Sequence, residues 1–229
     1  MRVSEIRRLA ISGGLVAAAF AVKYAMIGLP NVEPLTLAFF GVGYAYGAIW
    51  GAFVGAVGEA IFATVNPMGA PIAPVWVAQI MGMALVGVIG GVMGRVGKHR
   101  GSAGDSPGRS RSGLAGSDSQ WGGHSCPPVS DAERHLLENS RIGESGRWRL
   151  VMIVCAGIVA TISFDLLTNL AMAWSIGPFW AIMIAAIPFA AVHLLSNALL
   201  FALIFPILRR WLTRYTSPPR RVACPSHHG

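Results

Sequence analysis

The sequence predicts an all-α integral membrane protein with six transmembrane helices and both termini cytoplasmic. Three observations predict it. Of 229 residues, 54% are hydrophobic and only 12% charged, against about 25% charged in an ordinary globular domain; the mean hydropathy is +0.57. The apolar residues gather in two blocks, 9–94 and 150–208. Apart from Lys23, every Lys and Arg falls in one of three places: Arg2 to Arg8, Arg95 to Arg149, and Arg209 to Arg221. Basic flanks of apolar runs stay on the cytoplasmic side, so each block crosses the bilayer an even number of times. The net charge of +8 therefore reports topology. It does not mark a nucleic-acid surface, since the basic residues flank the apolar runs.

The elements follow in order. The run after Arg7 and Arg8 lacks a short apolar core ending in a cleavage site, so it reads as a retained first helix. It carries the small-residue stripes Ala10-x3-Gly14-x3-Ala18 and Ala17-x3-Ala21-x3-Ala25, which either pack inside the bundle or dock a partner helix. Leu29-Pro30-Asn31-Val32-Glu33-Pro34 breaks the chain into an outside loop, its shape held by two prolines. The run from Leu35 to Val65 is too long for one upright helix and short for two. Parity decides for two, one short or tilted, with the turn near Tyr44 to Gly47. Gly43, Gly47, Gly51 and Gly55 recur every four residues, a spacing that puts them on one helix face for close packing.

A second outside loop spans Asn66 to Pro71, and the fourth helix follows with Gly82, Gly87, Gly90, Gly91 and Gly94. Residues 98–147 are rich in Gly, Ser and Arg and read as a disordered cytoplasmic linker, with a helical-looking patch at Asp131 to Leu137. The second block gives two helices hinged at Ser175-Ile176-Gly177-Pro178. The chain thus divides into 1–97 with helices one to four, the 98–147 linker, 148–214 with helices five and six, and a cytoplasmic tail at 215–229. Cys126, Cys155 and Cys224 have no metal-ligand spacing and are expected to be free thiols.

Polar residues inside a membrane are costly and mark function by default. They are Lys23, Glu59, Gln79, Asp165, Asn169 and His193. Lys23 and Glu59 each sit about 10 Å below the outer end of their helices. Gln79 lies near the outer start of the fourth helix, and Asp165 and Asn169 about 7–14 Å below the outer end of the fifth. His193 counts as deeper, toward the cytoplasm. One reading pairs Lys23 with Glu59 or Asp165 as helix staples. The other is a pocket open to the outside, roofed by the two outside loops with Asn31, Glu33 and Asn66, and with Trp76 stacking on an aromatic ligand. No P-loop, HExxH or nucleophile–base pair appears, so no enzymatic activity is expected, and any ATP hydrolysis belongs to another polypeptide.

Pro30-Asn31-Val32-Glu33-Pro34-Leu35-Thr36, the Gly-rich helices after it, Pro74-Val75-Trp76-Val77-Ala78-Gln79-Ile80-Met81, Phe164-Asp165-Leu166-Leu167-Thr168-Asn169 and His193-Leu194-Leu195-Ser196-Asn197 resemble the substrate-binding membrane subunit (S-component) of an energy-coupling factor vitamin transporter. The resemblance covers both apolar blocks but not the linker. It implies a prokaryotic inner-membrane importer subunit that binds a vitamin or related micronutrient near the outer surface. It also implies a separate transmembrane coupling protein and two ATPases as partners, without cofactor or metal. The substrate stays open among cobalamin-like, queuosine-like and other vitamin ligands. On this resemblance the substrate residues are Asn31, Glu33, Glu59, Asn66, Trp76, Gln79, Asp165, Asn169 and His193. Gly14, Ala17, Ala18 and Ala21 would face the coupling protein. A metal-uptake subunit using His193, Asp165 and the tail histidines, and a purely structural membrane protein, are the alternatives.

Overall fold

The structure, a computed structural model, describes residues 3–29, 31–67, 69–104 and 131–216. Seven helices and no strand occur among them: α1 (Val3–Ala25), α2 (Pro34–Tyr46), α3 (Ala48–Val65), α4 (Ala73–Gly104), α5 (Asp131–Ile176), α6 (Phe179–Leu203) and α7 (Phe205–Thr216). Five stretches are long and apolar enough to cross a membrane: Ser4–Ala25, Ala48–Val65, Ala73–Gly97, Gly146–Ile176 and Phe179–Leu203. The described residues form helices and short connections without a strand, and the chain is a multi-pass membrane protein.

The helix α2 is short, with 13 residues, or about 20 Å against a hydrocarbon core of about 30 Å. It is also the most enclosed element, buried without interruption from Leu35 to Gly43. Pro34 opens it at a position where a missing N–H costs nothing. Gly47 closes it with φ of 100°, a left-handed conformation that favours glycine. There the chain folds back into α3. The turn expected near Tyr44 to Gly47 is thus present, but it divides the glycine series. Gly43 belongs to α2, and Gly51 and Gly55 to α3, so the four do not share one helix face. They still serve close packing: a methyl on Gly43, Gly51 or Gly87 would overlap backbone of the neighbouring helix.

Around α2 the core is aromatic. Phe40 meets Phe201 edge-on at 4.9 Å and Phe205 at 5.3 Å between ring centroids. At the end of the bundle that holds the α2–α3 turn, the Arg8 guanidinium lies 4.1 Å from the Trp50 ring centroid. Trp50 Nε1 donates to Ser12 Oγ at 3.0 Å. The outer faces of α3 and α6 expose Ile49, Phe53, Ile61, Ile184, Ile187 and Leu195, as a lipid-facing surface should. Pro206, which cannot donate and crowds the carbonyl four residues back, separates α6 from α7. The sixth apolar run is therefore two helices where one was expected.

Helix extends into the expected linker from both sides, to Gly104 in α4 and from Asp131 in α5. The remainder of that segment, 105–130, and the tail beyond Thr216, with Cys224 and the His227-His228 pair, lie outside the described residues.

Candidate functional site

The end of the bundle opposite Arg8 and Trp50 holds a cavity of about 390 Å³. Each wall is set by an element already described. Helix α1 contributes Lys23 from its last turn; the loop before α2 contributes Asn31 and Glu33; α3 contributes Glu59 and Phe62. Across from them, α5 presents Phe164, Asp165, Thr168 and Asn169, and α6 presents Phe189 and His193. Asn66 and Gln79 complete the rim and wall on the α3–α4 side. Its size is that of a small-molecule site, mixing aromatic walls with a few convergent polar groups.

The polar contacts are specific. Lys23 Nζ donates to Glu33 Oε2 at 2.7 Å and to the Val32 carbonyl at 3.0 Å. Asn31 Nδ2 donates to the Phe189 carbonyl at 2.9 Å, and Ser196 Oγ donates to the Asn31 carbonyl at 2.7 Å. These bonds tie the loop to α1 on one side and to α6 on the other. Asn31 holds φ of 59°, a left-handed backbone that Asn tolerates better than most residues. Deeper in, His193 Nδ1 lies 2.6 Å from Asp165 Oδ1, and the imidazole stands edge-on to Phe164 with centroids 6.0 Å apart.

Several polar atoms in this wall are buried without a hydrogen-bond partner among the described residues: Glu33 Oε1, Glu59 Oε2, Gln79 Oε1 and His193 Nε2. Glu59 is 4% exposed and His193 5%. An unpaired buried polar group costs about 1–3 kcal/mol, and more for an ionised one. Four in one cavity is a concentration that a site built only to hold helices together would avoid.

Eight of the nine residues expected at the substrate site line this cavity. Trp76 does not: the cavity reaches up α4 only as far as Gln79, one turn further along. Two further expectations are corrected. Lys23 pairs with Glu33, not with Glu59 or Asp165, because the loop folds down over α1 and brings a carboxylate nearer than either helix does. His193 is level with Asp165. Counted from the Gly177-Pro178 turn, they are 12 residues back and 15 on, a difference of about 5 Å that two side chains span. Phe62, Phe164, Thr168 and Phe189 were not singled out in the sequence. Thr168 lies one turn from Asp165 on α5, and that spacing was the available signal.

The stripe residues Gly14, Ala17, Ala18 and Ala21 are exposed on α1, away from this cavity. No group of three or more His, Cys, Asp or Glu side chains among the described residues is arranged to hold a metal ion. No protein-family model, curated protein or solved structure matches the chain.

Proposed function

We propose that this chain is the substrate-binding subunit of an importer of the energy-coupling factor type, which captures a water-soluble vitamin or related micronutrient outside a prokaryotic inner membrane. The observation that carries the reading is the convergence of Lys23, Glu33, Glu59, Gln79, Asp165 and His193 from five helices and a loop on one cavity with unpaired polar atoms. In this reading the chain crosses the bilayer six times with both termini cytoplasmic. Helix α2 makes the sixth crossing despite its length, because its backbone is shielded by protein and not by lipid. The positive flanks then lie inside and the cavity opens outside.

The exposed small-residue face of α1, with Gly14, Ala17, Ala18 and Ala21, would receive the transmembrane coupling protein, and two ATPases on separate polypeptides would supply energy. A second reading has support in the Lys23–Glu33 and His193–Asp165 pairs: both join separate segments and would staple a ligand-free membrane protein. Metal uptake is supported less, since His193 and Asp165 meet without a third ligand among the described residues. Ligand binding by Asp165→Ala and Asn169→Ala variants tests the leading reading. Both should bind more weakly while folding normally; unchanged affinity would move the site elsewhere.

A further inference from the structure

The unpaired atoms in the cavity share a chemical character. Glu33 Oε1 and Glu59 Oε2 belong to carboxylates, and Gln79 Oε1 is an amide oxygen. His193 Nδ1 faces the Asp165 carboxylate at 2.6 Å, which places a proton on Nδ1 and leaves Nε2 unpaired at the cavity wall. Three of the four unpaired buried atoms are thus oxygens that a donor would satisfy.

Charge points the same way. The ionisable groups on its walls are the acids Glu33, Glu59 and Asp165 and the bases Lys23 and His193. Lys23 is taken up by Glu33, and His193 by Asp165. With both so engaged, no cation among the described residues is hydrogen-bonded to Glu59, which is 4% exposed. The aromatic faces of Phe62, Phe164 and Phe189 suit a flat or cationic group. A volume of about 390 Å³ equals about a dozen waters, room for a molecule of one or two rings.

Resting on the reading of this cavity as a ligand site, we infer that its ligand is a small organic cation, an ammonium, amidinium or protonated amino-heterocycle. Its N–H groups bond Glu59 and Glu33, and its flat body lies against the phenylalanines. An anionic molecule would bring the Glu59 carboxyl no positive charge to balance it when ionised.

The test uses full-length protein in mild detergent. Its melting temperature is measured with benzamidine, thiamine, riboflavin and pantothenate in turn, and its native mass after extraction from cells grown in rich medium identifies any bound molecule. The inference expects a rise with a cationic probe, or a co-extracted cation. Glu59→Gln should weaken that binding about 10- to 100-fold, the loss of one charge-assisted bond, while its unliganded melting temperature holds or rises. Where Glu59→Gln does not fold, Glu33→Gln serves with the same expected loss. Binding of riboflavin, pantothenate or a co-extracted anion, untouched by Glu59→Gln, overturns the cation assignment and leaves the pocket standing. No shift with any probe and a bare native mass overturns the pocket itself.

Discussion

Replacing Asn31 separates two contributions that hold the outer loop in place. Its side chain donates to the Phe189 carbonyl at 2.9 Å in an exposed position, so that bond contributes at the low end, about 0.5 kcal/mol. Its backbone sits at φ of 59°. A β-carbon residue there costs about 1–2 kcal/mol, less for Asn and nothing for Gly. Asn31→Gly keeps the backbone, loses the bond and adds unfolded-state freedom, for a total of about 0.5–1.5 kcal/mol. Asn31→Ala loses the bond and strains the backbone, for about 1.5–2.5 kcal/mol. Unfolding in mixed detergent micelles, wild type against both variants, reads the difference of about 1 kcal/mol between them. If the loop closes over ligand, release should quicken in the same order, by about tenfold for each 1.4 kcal/mol. Equal stability of the Ala and Gly variants would refute the backbone argument, and an unchanged release rate in both would refute the loop's role as a lid.

Other perturbations probe separate parts of the account. In a double-mutant cycle, Lys23→Met with Glu33→Gln should show coupling of about 0.5–1.5 kcal/mol, whereas Lys23 with Asp165 should show next to none; the opposite pattern would restore a pairing that the geometry does not contain. Gly87→Ala drives a methyl into the Gly51 backbone and should destabilise by about 3 kcal/mol or prevent folding, read as lost monodisperse protein on gel filtration. Gly14→Ala, with nothing near the added methyl, should leave stability unchanged or raise it by up to about 1 kcal/mol. Gly14→Leu should fold and bind ligand normally yet fail to co-purify with a coupling protein; retained co-purification would remove this face from the proposed interface.

Much of the arrangement was legible because a bilayer limits what a chain can do. Lys- and Arg-free loops and a helix length near 20 residues are enough to place a break near Gly47. The cost of burying polar groups led to the list from Lys23 to His193. What was not legible was which partner each group takes. Depth along a helix axis can be counted from sequence, but the rotation and tilt that decide Lys23–Glu33 over Lys23–Glu59 come from packing. The same limit explains Trp76: near the right depth on α4, yet outside the cavity wall. The glycine series misled in a smaller way. Its regular spacing suggests one continuous face, but Gly47 at positive φ ends a helix in the middle of the pattern. The packing role survives because α2 and α3 both lie against α4.

Everything proposed above depends on the polar cavity holding a small molecule. Native mass spectrometry of the intact protein, gently released from cells grown in rich medium, tests it most directly. One additional mass of a few hundred daltons per chain is expected, lost in the Asp165→Ala, Asn169→Ala double variant while the protein stays folded. A wild-type protein that carries no bound molecule and gains none from the medium extract would contradict it, leaving the buried polar groups to a purely structural role.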